Sequence, residues 1–206
     1  MITGRIGSGK TTLGRTLLGL VPAEAGTIRW NGQEVSDPAI FFSPPRAAYT
    51  PQVPRLFSDR LESNILMGHH ANRQQLSNAI HSAVLERDLG MMEHGLATMV
   101  GPKGVRLSGG QIQRTAAARM LVRDAELLVC DDLSNALDVE TEAQLWEHIF
   151  ARRTQTCLVV SHRQAVLRHA DYILILDNGH IAAEGTLDHL LATSSLMHTL
   201  WEGTVE

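Results

Sequence analysis

The sequence predicts an α/β fold, with a mainly parallel sheet flanked by helices and interrupted by an inserted helical subdomain. Three observations carry this reading. A Gly-rich loop lies between a strand stub and a helical stretch near the N-terminus. Residues 59–124 have a helical composition throughout. Beyond residue 125 short apolar strands alternate with helical segments, the order expected of βαβ units in a parallel sheet. At 206 residues and 22.6 kDa the chain suits one domain around a single core.

The elements follow in order. Met1-Ile2-Thr3 is a strand stub, and residues 4–12 form the Gly-rich loop. Leu13, Leu17, Leu18 and Leu20 give residues 10–20 an apolar helical face, and Pro22 and Gly26 end it. Gly14 inside that helix weakens it by about 1 kcal/mol relative to Ala. Residues 27–30 and 33–35 flank Asn31-Gly32 and predict a hairpin. After Pro44-Pro45 comes a strand at 47–50, and within the inserted block the helices are 61–66, 74–89 and 110–122. Strands at 127–130, 157–160 and 172–176 then alternate with helices at 139–152, 164–169 and 187–191. Asn178-Gly179 marks a second hairpin.

Composition excludes several function classes. With 44% hydrophobic and 19% charged residues the chain is neither disordered, collagenous nor coiled coil. Four Phe, three Trp and two Tyr, with 18 basic against 22 acidic residues, supply neither a stacking platform nor a basic footprint, so nucleic acid is not an expected partner. No apolar run approaches the roughly 20 residues that cross a bilayer, and none near the N-terminus has signal-peptide length. Cys130 and Cys157 lie in apolar stretches and read as buried free thiols in a reducing cytosol. His69-His70 sits in a polar loop and His180, His189 and His198 lack ligand spacing, so histidine metal ligation is not expected.

The chemistry begins with Gly4-Arg5-Ile6-Gly7-Ser8-Gly9-Lys10-Thr11-Thr12, which matches a phosphate loop in the strand-to-helix context that motif needs. Its glycines let backbone N–H groups fold around phosphate oxygens, Lys10 neutralises β and γ phosphates, and Thr11 offers a hydroxyl to Mg²⁺. ATP or GTP is the implied ligand. Four apolar residues, 127–130, deliver Asp131 to the carboxyl edge of the sheet as the metal-side carboxylate. Asp132 follows, where a second carboxylate orients an attacking water; a plain N-cap pair is the bland alternative.

Leu107-Ser108-Gly109-Gly110-Gln111 places Ser-Gly-Gly at a helix start, a second anion site of N–H groups and a hydroxyl. Its ligand is a γ-phosphate held by another subunit, which predicts a head-to-tail dimer. At this point the chain resembles the nucleotide-binding domain of the ATP-binding cassette (ABC) transporters, from residue 4 to about 185. The resemblance implies a P-loop NTPase: one domain over 1–206, with a RecA-like core at 1–58 and 125–206 and a helical signature subdomain at 59–124. ATP and Mg²⁺ are the implied cofactors. Residues 4–12 look like the Walker A loop, and Gln52 like the glutamine that contacts Mg²⁺ and the attacking water. Residues 107–111, with Ser108, Gly109, Gly110 and Gln111 facing the partner's nucleotide, are identical to the family signature, and 127–131 match Walker B. Residues 134–138 resemble the D-loop, with Asn135 where Ser is commoner, and His162 resembles the switch histidine at the γ-phosphate.

The stretch from Pro51 to Ser58, with Glu62-Ser63-Asn64-Ile65 after it, is similar to export-type cassettes, whose transmembrane domain is fused upstream. That implies a membrane-domain contact over residues 53–57, between Val53 and Phe57, on the cytoplasmic face of the membrane. Two departures accompany it. Asp132 stands where the family usually has Glu, and a carboxylate set back by about 1 Å can cost on the order of 10²-fold in rate. The N-terminal strands of the family fold, with the aromatic residue that stacks on adenine, are expected to be missing. The resulting expectation is an ATP-hydrolysing domain of an exporter. The alternatives are a regulatory nucleotide clamp with little hydrolysis, favoured by Asp132, and a non-transport ABC ATPase. The latter is disfavoured by the absence of a charged heptad array.

Overall fold

Apolar residues in short runs fold as strands buried on both faces, and Gly or Asn at the junctions supplies the turns between them. The computed structural model describes residues 1–101, 103–152 and 154–203. Met1–Arg46 with Cys157–Glu206 forms one compact unit and Ala47–Thr156 a second. The chain opens with β1 (Ile2–Gly4), α1 (Lys10–Leu17), β2 (Arg29–Trp30), β3 (Gln33–Glu34) and α2 (Pro38–Phe41). There follow β4 (Ala47–Thr50), β5 (Asp59–Arg60), α3 (Leu61–Leu66), α4 (Arg73–Ser82) and α5 (Glu86–Met91). A 3₁₀ turn at Gly95–Ala97 leads to β6 (Met99–Val100), α6 (Gly109–Leu121), β7 (Leu127–Asp131) and α7 (Val139–Phe150). The last elements are β8 (Thr156–Val160), α8 (Gln164–Leu167), β9 (Ile173–Asp177), β10 (His180–Gly185), α9 (Leu187–Thr193) and α10 (Ser195–Trp201). Mostly parallel strands flanked by helices are the expected fold class.

In the first unit β1 lies between β8 and β9, parallel to both, with Ile2 opposite Val160 and Leu174. All three β1 residues are buried. Ile2, Val160 and Leu176 form one core cluster with Leu13 and Leu158 against it, and Ile173, Ile175, Leu167, Leu190, Met197 and Leu200 form another on the helices α9 and α10. Strands buried on both faces need near-continuous apolar runs, as β9 has. β10 returns antiparallel to β9 through Asn178 and Gly179, both at positive φ. Asn31 and Gly32 likewise take φ of 49° and 81° between β2 and β3, the paired positive φ of a type I′ hairpin turn.

Four expectations need correction. α1 ends at Leu17, short of residue 20, because Gly19 adopts φ 70° and closes a Schellman motif: Gly19 N–H donates to Thr16 O (3.0 Å) and Leu20 N–H to Arg15 O (2.9 Å). Residues 74–89 are two helices, since Val84 takes φ 55° between the fully buried Ala83 and Leu85. A β-branched residue there is an outlier, so burial of its neighbours overrides helical periodicity. The inserted block also contains a two-residue ladder, Asp59 opposite Val100 and Arg60 opposite Met99, too short to leave a period in the sequence. Cys130 is buried, but Cys157 is only half-buried.

In the second unit β4 runs parallel to β7, from Ala47 opposite Leu127 to Thr50 opposite Cys130. α6 packs on α3, α4 and β4. α4 begins with a capping box between Asn72 and Gln75, which satisfies two N–H groups reciprocally. Helices α2 and α10 escape periodicity because they are one and two turns long; Asp37 caps the first, accepting Ile40 N–H at 3.2 Å, and Ser194 the second. Among the described residues no helix is long and apolar enough to cross a membrane.

Gly14 is buried in α1, yet a Cβ built there meets nothing within 4 Å. Gly14→Ala should therefore raise stability by about 1 kcal/mol, seen as a thermal midpoint higher by about 2–4 °C for a domain of this size. A lowered midpoint in a calorimetric scan would show the site to be closed.

Candidate functional site

The first unit carries the phosphate loop. Gly4 at φ 141° passes so close to β9 that a Cβ would collide with the Leu176 carbonyl oxygen, and it would come within 3.0 Å of Ser8 Oγ. Gly7 and Gly9 take φ of 80° and 97°, turning the chain back on itself. Ser8 is buried, its N–H donating to Arg5 O at 3.2 Å and its carbonyl accepting Gly179 N–H at 3.2 Å. Lys10 Nζ is drawn into this curl, donating to Gly4 O (2.8 Å), Arg5 O (2.6 Å) and Ser8 Oγ (3.5 Å). Ile6 stands out at 90% exposure, Thr12 is exposed and Thr11 is half-buried. α1 starts directly after Gly9 with no side-chain cap, so its first N–H groups, which no intrahelical acceptor can reach, open onto the loop. His162 is exposed one residue beyond the buried Ser161, whose N–H donates to Ile2 O at 3.1 Å. It therefore lies at the same carboxyl edge as Gly4.

The second unit carries the carboxylates. Asp131 closes β7 at 2% exposure and accepts a hydrogen bond from Tyr49 Oη at 3.2 Å. Asp132 leaves the strand with φ 52°, a left-handed turn that Asp tolerates better than most residues. Its carboxylate accepts from Gln52 Nε2 at 3.4 Å. The fold thus brings together two residues 80 positions apart that the sequence singled out. Tyr49 is the functional residue that sequence reasoning missed; a phenol in a short strand, two residues before Pro51, is its signal.

The signature residues open α6. Ser108 Oγ accepts Gln111 N–H (3.2 Å) and Gln111 Oε1 accepts Ser108 N–H (2.9 Å), a reciprocal capping box. Gly109 and Gly110 fill the first turn under the following loop. A Cβ on Gly109 would meet Ala136 Cβ at 3.3 Å and one on Gly110 would meet Ala136 O at 3.2 Å. The loop over them, residues 134–138, is fastened from two sides. Buried Gln113 donates to Asn135 Oδ1 and accepts Ala136 N–H at 2.9 Å. Ser134 Oγ, also buried, donates to Glu142 Oε1 at 2.5 Å and accepts from Trp146 Nε1 at 3.1 Å. Asp138 caps α7, its carboxyl held below the usual range first by the Thr141 backbone N–H and then by the Thr141 hydroxyl.

Val53 is 74% and Phe57 61% exposed, although the backbone around them is tied down. Buried Asn64 accepts Phe57 N–H at 2.8 Å and donates to Phe57 O at 3.0 Å, and Arg119 donates to Asn64 O at 2.7 Å and Arg55 O at 3.2 Å. Burial, and next the charge of Arg123, lowers the pKa of Arg119 from its ordinary value. Among the described residues no cluster of three His, Cys, Asp or Glu could hold a metal ion.

Gln113→Leu should free the loop at 134–138, because Ala136 N–H loses its acceptor. Its amide exchange should accelerate by roughly 10-fold or more, matching the 1–3 kcal/mol of an unmet buried group. Unchanged protection at Ala136 in a hydrogen-exchange experiment would show the loop to be held by other contacts.

Comparison with known proteins identifies the family. The family model described as ABC transporter matches residues 1–135. A probable multidrug resistance ABC transporter ATP-binding/permease protein of Bacillus subtilis is 39% identical over 203 residues, 98% of this chain and 35% of that protein. An ATP-dependent lipid A-core flippase of Idiomarina loihiensis is 36% identical over 193 residues, 92% of this chain and 33% of the flippase. The solved structure of a bacterial Atm1-family ABC exporter with ATP bound is similar at a TM-score of 0.91 and 30% identity, over 98% of this chain and 36% of that one. The chain spans about a third of the length of these proteins. The family model spans well over half of the chain, and the chain belongs to the ABC transporter family as an ATP-binding domain.

Proposed function

We propose that this domain binds Mg-ATP, hydrolyses it at a head-to-tail interface with a second such domain, and so powers export through a membrane. The observation that supports this best is the Gln52–Asp132 contact at the end of β7, beside Asp131, because it gathers a water-orienting amide and two carboxylates at one strand edge. Its division of labour follows the motifs: 1–58 with 125–206 as nucleotide-binding core, 59–124 as signature subdomain.

In this reading Gly4, Arg5, Ile6, Gly7, Ser8 and Gly9 wrap the phosphates with backbone N–H groups, while Lys10 neutralises their charge and Thr12 continues the helix start. The donor set for Mg²⁺ consists of hard oxygens, Asp131 with the Thr11 hydroxyl and the Gln52 carbonyl, which suits that ion. Bound there, Mg²⁺ would supply charge neutralisation across the β and γ phosphates. Asp132 accepts a proton from the water that attacks the γ-phosphorus as the bond to the bridging oxygen breaks, and His162 donates to the γ-phosphate. Ser108, Gly109, Gly110 and Gln111 form the turn that closes on the partner's nucleotide, Gln111 by bracing it, since its side-chain amide meets Ser108 N–H and Asp88. The exposed Val53 and Phe57, on backbone fixed by Asn64 and Arg119, suit contact with a transmembrane domain at the cytoplasmic face.

A second reading, a regulatory clamp that closes on ATP with little hydrolysis, is favoured by Asp132 itself. Its side chain is one methylene shorter than that of Glu, which keeps the carboxylate closer to the strand end.

Lys10→Ala should abolish Mg-ATP binding by removing the side-chain cation that the loop curls around; unchanged affinity by calorimetry would overturn the site assignment. Asp132→Glu separates the two readings. In the full-length transporter it should raise single-turnover hydrolysis at this domain's own phosphate loop, up to about 10²-fold, with ATP affinity unchanged. No increase there would mean that Asp132 already positions water competently.

A further inference from the structure

We propose that Asp88 is a positioning residue for the second anion site, acting on Ser108 through Gln111. The proposal rests on the reading of Ser108 as a ligand of the partner's nucleotide and adds a residue to it. Asp88 lies in α5, 23 positions before Gln111, and is 4% exposed. Three donors converge on its two oxygens: Arg114 Nε on Oδ2 at 2.7 Å, Arg114 Nη2 on Oδ1 at 2.9 Å and Gln111 Nε2 on Oδ1 at 3.1 Å. A buried carboxylate needs such partners, and the bidentate Arg114 contact fixes its plane.

The consequence runs through the Gln111 amide, which has one donor end and one acceptor end. Asp88 accepts only, so Nε2 must face it and Oε1 must face the other way, toward Ser108 N–H at 2.9 Å. Ser108 Oγ in turn accepts Gln111 N–H. With that lone pair used inside the turn, the hydroxyl proton is left to point out of the helix start, where a phosphate oxygen would accept it. Asp88 thereby fixes which end of the Gln111 amide meets Ser108 N–H, and so braces the turn that carries the hydroxyl. Gln111 and Arg114 sit three residues apart on the same helix, so one buried acid holds the first turn of α6 from below.

The test uses the full-length transporter with ATP as the probe. Asp88→Asn removes the charge and lets the Gln111 amide turn over. It should raise KM for ATP by about tenfold, the scale of one hydrogen bond to a charged group, with a much smaller change in kcat. ATP binding at the phosphate loop, measured under conditions that prevent domain closure, should be unaltered. Gln111→Leu, which leaves the Asp88–Arg114 pair in place, should reproduce the KM rise. The double variant should add nothing to Gln111→Leu alone, and Asp88→Glu should restore part of the loss. An unchanged KM in Gln111→Leu, or effects of Asp88→Asn and Gln111→Leu that multiply, would overturn the relay. The underlying reading fails separately: if Ser108→Ala leaves KM unchanged, Ser108 is not a nucleotide ligand at all.

Discussion

A helix cannot satisfy its own first N–H groups, and both candidate anion sites of this domain are built from that deficit. The two helices treat it differently. α1 follows Gly9 with no side-chain cap, so its positive end is left to the loop that Lys10 closes. α6 is capped by Ser108, whose hydroxyl oxygen accepts one N–H inside the turn. The first arrangement suits a ligand enveloped by the chain. The second suits a ligand presented by another molecule, approached across a surface whose shape must already be set.

That difference explains where the polar burial lies. Around α6 the buried polar side chains Asp88, Gln113, Ser134 and Glu142 all have partners within the same unit, and each holds backbone or side chain next to the signature turn or the loop above it. A half-satisfied network would cost more than an apolar core, so its completeness is a condition of the fold. Asn135 is absorbed into it because the amide of Gln113 has a donor to give.

The parts of the domain legible in its sequence are those governed by local rules. Asn-Gly dipeptides gave both hairpins, four apolar residues before Asp131 gave the buried strand that carries it, and Ser108-Gly109-Gly110 gave the start of α6. What was not legible depends on distant neighbours. Nothing near Val84 announces a left-handed turn; it follows from the burial of Ala83 and Leu85. Strands of two residues, such as β5 and β6, are shorter than any period. Asp88 looks like one more charge on a helix until Arg114 and Gln111 are brought onto it, and Tyr49 acquires its role only when β4 lies beside β7.

The seat of Gly4 on Leu176 has a consequence for how the chain is made. β1 leaves the ribosome before both strands that flank it, β8 and β9, which are more than 150 residues away in sequence. At about 5–20 residues per second, an early strand with three apolar or small residues waits many seconds for its neighbours, while residues 47–156 can close on themselves in the meantime. Within this domain the nucleotide loop is therefore made before the strands that shape it, and nascent chains stalled before residue 173 should have a formed second unit and no phosphate cradle.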